Sequence, residues 1–192
     1  MFCYNSGMKK NKHLMMDLWA VFLYPLWTTV LVFLDDPLTT NLSWIGNGFG
    51  KRTAVIIWAV AGAILFRKLI HTLADTVHCQ LKKGEDIIYV LMILSLLIPY
   101  LPDRYPWLSQ LHILSGYISF TLLSINMLYV LYQGTLRGRQ ICRSGILMIS
   151  GILMICALFY ITFLSINSVL ELFYTVSTSW TLIYMIYHTE KQ

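Results

Sequence analysis

Long apolar runs, parted by short clusters of charge, constrain this chain more than any motif does. The first run covers about residues 14–34, and later ones cover about 53–71, 86–101, 109–133, 144–164 and 169–187. Most approach the ~20 residues with which a helix crosses a ~30 Å hydrocarbon core. The third is short and needs tilt, local thinning or a few flanking residues. Charged residues make up 12% of the chain, where a soluble domain has roughly 25%. The expected fold is therefore all-α: a polytopic bundle of six transmembrane helices, forming a single integral membrane domain over residues 1–192. The first run is longer than a signal-peptide core of roughly 7–15 residues, and Asp35, Asp36 and Pro37 follow it in place of a small-residue cleavage site. It reads as a retained helix.

The charge pattern supplies the orientation. One alternating set of connections carries Lys9, Lys10, Lys12, Arg67, Lys68, Lys82, Lys83, Arg137, Arg139, Arg143 and Lys191; the other carries Lys51, Arg52 and Arg104. The positive-inside rule places both termini in the cytoplasm, which an even number of spans requires. The net charge of +5 is then a topology signal and implies no nucleic-acid partner. The expected location is a multi-pass position in the plasma membrane. Most tryptophans fall near span ends, as in an interfacial belt.

Cys3, Cys79 and Cys142 map to the cytoplasmic side and Cys156 lies within a span, so no structural disulfide is expected. The first three are juxtamembrane and so candidates for acylation. The fifth run repeats SGILMI in tandem. Ser144 with Gly151, and Ser150 with Ala157, stand at spacings that permit close helix approach in lipid, as do Ala59, Gly62 and Ala63. Such surfaces suit packing within the bundle, or contact with a membrane-protein partner or a second copy.

Three polar groups are candidates for chemistry. On the outer side, Asp35, Asp36, Asn41, Ser43, His112, Asn167 and Glu171 come from separate connections at one expected depth. Ionisable groups in membrane spans usually face the bundle interior or water. These residues form a candidate ligand pocket, without a recognisable nucleophile arrangement. On the cytoplasmic side, His71, Asp75 and His78 are spaced i, i+4, i+7. On a continuing helix they share one face and are candidate metal ligands, with Glu85 and Asp86 next across the turn. Haem needs axial ligands on different helices at matching depth; His71 and His78 share a helix end and His112 lies on the opposite side, so no haem is expected.

The third group is the glycine-rich stretch GNGFGKRT, which resembles a phosphate loop. Its spacing differs from G-x-x-x-x-G-K-[ST] and no strand precedes it. No nucleotide is expected there. It reads as an outer turn, with Lys51 and Arg52 at a helix N-terminus available to lipid headgroups. Asn41-Leu42-Ser43 also matches a glycosylation sequon.

In layout the chain resembles the Frag1/DRAM/Sfk1 group and related bacterial six-span membrane proteins of unknown function. The resemblance rests on Pro37 followed by Ser43-Trp44-Ile45-Gly46, the histidine in LHILSGYISF and the acidic residue in NSVLELFYTVST. Trp44 replaces an Asp often found after the family serine. The resemblance implies a lipid-facing or accessory role. The residues lead to the same class: a non-catalytic integral membrane protein that binds a lipid or membrane partner through an outer polar pocket, with no resident cofactor. The alternatives are a membrane-embedded lipid-modifying or metal-dependent enzyme, and a transporter or accessory subunit of a larger membrane complex.

Overall fold

The computed structural model describes residues 15–48 and 50–190. Leu14, Cys3, Lys9, Lys10, Lys12, Phe49 and Lys191 lie outside the described residues. The described chain folds into helices without a strand: α1 (Met15–Val32), α2 (Leu42–Gly48), α3 (Arg52–Thr76), α4 (Asp86–Leu97), α5 (Pro106–Leu136), α6 (Ile141–Phe163) and α7 (Ser168–Thr189). Five of them (α1, α3, α5, α6 and α7) are long and apolar enough to cross a membrane. Neighbours run round the bundle in the order α1, α3, α4, α5, α6, α7, and α7 returns to α1 and α3. The connections before α2, between α4 and α5, and between α6 and α7 meet at one end, called here the upper end.

The run expected at 86–101 is helical only to Leu97. Its 12 residues rise about 18 Å. Pro99 explains the stop, because the residue before a proline is pushed out of the helical region, and Ile98 is extended (φ −74°, ψ 123°). Other elements supply partners for the broken end. Arg52 Nη2 donates to Leu97 O (2.7 Å), His112 Nδ1 contacts Ile98 O (3.0 Å), and Leu101 N donates to Ser109 Oγ (2.9 Å). At the lower end the chain folds back into the bundle, burying Val77 and Cys79. As a result α4 starts beside Arg67 and His71, more than a turn before α3 ends.

Helix α1 begins with a π-helical segment, Leu18–Leu23. Two carbonyls in it accept from α7: Ala20 O from Ser179 Oγ and Val21 O from Trp180 Nε1, both at 3.3 Å. Side chains from a neighbouring helix thus meet carbonyls in this local irregularity.

Glycine sets the closest helix approaches. A Cβ on Gly62 would meet the Tyr24 ring, one on Gly134 would meet Cys142 Sγ and Val77, and one on Gly145 would meet Met185 and Leu131. The tandem repeat packs differently from its expected register. Ser144, Ser150 and Ala157 are exposed, Gly151 faces open space, and the neighbouring Gly145 makes the contact. In the lower half, Leu69, Ile70, Leu73, Met127, Leu131, Leu182 and Met185 are fully buried. The upper half of the bundle holds a smaller buried cluster, Leu31, Val32, Leu42 and Ile45, beside a cavity.

Candidate ligand cavity

The upper end is tied together by reciprocal capping. A helix begins with N–H groups that lack intrahelical partners. For α7 the 37–40 loop supplies them: Thr40 O accepts from Ser168 N (2.7 Å) and Ser168 Oγ (2.9 Å), and Pro37 O accepts from Val169 N (3.2 Å). Asn167 Oδ1 accepts from Leu170 N (2.9 Å) as an N-cap. In return, Glu171 Oε2 accepts from Leu42 N at the start of α2 (2.8 Å), and Asn41 Oδ1 accepts from Trp44 N (2.8 Å). The stretch expected as an outer turn is therefore a short helix up to Gly48. It seats Leu42 and Ile45, both 0% exposed, against Leu31 and Val32.

Beneath this junction lies a cavity of about 710 Å³, within the ~300–1,000 Å³ range of small-molecule sites. Asn41, Ser43, Tyr100, His112, Ser165 and Glu171 line its upper part. Phe66, Leu123, Leu153 and Tyr174 carry it towards mid-bundle. The packing accounts for the space. Gly134 and Gly145 let α5, α6 and α7 approach closely in the lower half, whereas Gly116 on α5 has nothing within 4 Å of where a Cβ would stand. In the upper half α5 and α6 meet through Tyr117 and Tyr160, edge to face with centroids 6.2 Å apart.

Aromatic pairs hold the walls. Tyr24 stacks on Trp58 (5.7 Å, 8°), and Trp58 Nε1 donates to Thr28 Oγ1 (2.8 Å). Phe120 packs on Tyr174 (4.4 Å), whose hydroxyl shares a hydrogen bond with Ser124 Oγ (3.2 Å). Tyr100 lies against His112 (5.5 Å). A mostly apolar chamber with a few polar groups at one end suits the apolar part of an amphiphile.

Of the residues expected in one outer pocket, Asn41, Ser43, His112 and Glu171 all line this cavity. Asn167 does not: it is 1% exposed and serves as the cap of α7. Asp35 is also outside the lining, and Asp36 folds its own turn by accepting from Leu38 N and Thr39 Oγ1. Of the two expected headgroup cations, Lys51 is exposed, while Arg52 is turned to Leu97 O. Trp58, expected in an interfacial belt, is part of the cavity wall. The aromatic wall as a whole escaped the sequence reading, because aromatics in apolar helices look alike whether they face lipid or a chamber.

Of the His71, Asp75, His78 stripe, His71 and Asp75 lie on α3 and His78 does not. Helix α3 ends at Thr76, and His78 lies beyond it with φ 55°. His71 instead meets the start of α4: His71 Nε2 is 2.6 Å from Glu85 Oε1, without the alignment of a ring N–H hydrogen bond, and Arg67 Nε donates to Asp86 Oδ1 (2.7 Å). His71, Glu85 and Asp86 offer ligand atoms within 4.8 Å of one another. Asn126 Nδ2 also approaches Glu85 Oε2 (3.4 Å). Cys79 and Cys142, the juxtamembrane candidates for acylation among the described residues, are both buried.

No protein-family model, curated protein or solved structure matches this chain.

Proposed function

We propose that this chain is a six-span membrane protein that holds the apolar part of a lipid or lipid-like amphiphile in the upper cavity, with its polar end at Asn41, Ser43, His112 and Glu171. The cavity is the observation that carries the reading. Five long helices provide five crossings. The sixth would use α4 together with residues 98–101. About 18 Å of helix and about 13 Å of open chain match a ~30 Å core. Irregular backbone at membrane depth is tolerated where protein satisfies it or it lines a cavity, and Arg52, His112 and Ser109 supply such partners. Six crossings and the basic residues of the lower connections put both termini in the cytoplasm and the cavity towards the outer leaflet of the plasma membrane. The resemblance of the sequence to the Frag1/DRAM/Sfk1 group implies the same lipid-facing role.

The test fills the chamber. Gly116→Leu adds a side chain where a Cβ meets nothing within 4 Å, and it removes a helix-weakening glycine. Native mass spectrometry of wild type released from membranes should show a bound amphiphile. Gly116→Leu should lose it while still melting cooperatively as a folded protein. Equal occupancy in the two proteins, or no occupant in wild type, overturns the reading. For topology, single cysteines at positions 41 and 139 in a cysteine-free background should be labelled from outside and inside respectively; outside labelling at 139 reverses the orientation.

A second reading, a metal-dependent membrane enzyme, has the His71–Glu85–Asp86 group in its favour. Arg67 already neutralises Asp86, which favours an ion-pair cluster over a cation site. Stoichiometric metal in purified protein, lost in Glu85→Gln, would reverse that preference.

A further inference from the structure

We propose that the ligand of this cavity is an amphiphilic cation, an ammonium group carried on an alkyl chain or other apolar body. The inference rests on the cavity being a ligand site and adds the charge of its occupant. Glu171 is the sole Asp, Glu, Lys or Arg among the lining residues. One of its oxygens accepts from Leu42 N, while Oε1 has no protein hydrogen-bond partner among the described residues. Ionised, this carboxylate offers about four acceptor sites; out of water a carboxyl group keeps its charge beside a cation and otherwise takes up a proton. No fixed cation supplies one inside the chamber, since Arg52 outside it is turned to Leu97 O.

The remaining polar groups complement a donor. With Nδ1 donating to Ile98 O, the neutral His112 ring keeps its lone pair on Nε2 and is an acceptor. The rings of Tyr24, Trp58, Phe120 and Tyr174 are among the lining of the walls. Ring faces attract ammonium groups, most strongly where water is excluded. An anionic headgroup would meet Glu171 with like charge and find no fixed cation in the lining.

Three ten-carbon probes of different charge separate the outcomes: decyltrimethylammonium, decanol and decanoate. Each is titrated calorimetrically into protein in zwitterionic-lipid nanodiscs, with protein-free nanodiscs subtracted. The cation should bind about tenfold more tightly than decanol, and decanoate most weakly. Glu171→Gln retains an acceptor for Leu42 N and should remove most of the cation's advantage over decanol, leaving only what the rings contribute. Gly116→Leu should abolish binding of all three. Equal affinities that Gly116→Leu abolishes would leave the cavity reading intact and overturn the cationic one. A cation preference unchanged by Glu171→Gln would also overturn it. Absence of binding by every probe would sink both.

Discussion

Adding one methyl group at three glycines should give opposite signs of stability change. At Gly62 a Cβ would lie 2.8 Å from Tyr24 Cζ and nearer still to the hydroxyl. Tyr24 cannot simply swing aside, because it is 2% exposed and stacked on Trp58, which is itself bonded to Thr28. Overpacking of this kind costs about 1–3 kcal/mol. Replacing a helical glycine by alanine returns up to about 1 kcal/mol. Gly62→Ala should therefore lose about 1–2 kcal/mol net, a fall of about 2–8 °C in melting temperature for a chain of this size. Gly116 and Gly151 have nothing within 4 Å of the added atom, so alanine there should be neutral or stabilising by up to about 1 kcal/mol. Thermal melts in one mild detergent compare the three. Tyr24→Phe removes the nearest clashing atom and leaves Cζ, so it should recover about half of the Gly62→Ala loss, measured as a double-mutant coupling. Equal effects at the three glycines, or no rescue by Tyr24→Phe, would refute the assigned α1–α3 contact.

Asn167→Ala removes the cap of α7 and should cost about 1 kcal/mol by the same melt. His112→Ala strips the side-chain partner from Ile98 O and should cost about 1–3 kcal/mol, with faster hydrogen exchange around residues 97–101 as the local readout. Gly134→Ala drives a Cβ against Cys142 Sγ and Val77 and should cost about 1–3 kcal/mol; Cys142→Ala, which clears the sulfur, should restore part of it.

Helix content was legible because a run such as 144–164 is apolar over the length of a span. The short helix α4 was less so: Pro99 stood in the sequence, but the satisfaction of its open carbonyls by Arg52 and His112 is a contact between distant segments. That is also why Arg52 looked like a headgroup ligand. Depth matching grouped Asn41, Ser43, His112 and Glu171, all of which line the cavity. It could not separate them from Asp36 and Asn167, whose short polar side chains bond backbone nearby, as such residues do at turns and caps. His78 left its expected stripe because helix periodicity says nothing of where the helix stops; here that is Thr76. The volume itself was beyond reach of the sequence, since it depends on which glycines meet a neighbour and which meet nothing.

The mutual capping of the 37–42 segment and the first turn of α7 joins residues 128 and 129 positions apart. A ribosome makes the 37–42 segment well before the first turn of α7. Until Ser168 and Glu171 emerge, Thr40 and Leu42 lack these partners, and the chamber lacks both its carboxylate and one wall. Synthesis thus completes the cavity only with α7, so the preceding helices emerge before the cavity exists. If the cavity holds the proposed amphiphile, a stalled or truncated product ending before residue 168 should be membrane-inserted yet retain none of it, which ties the onset of binding to the emergence of α7.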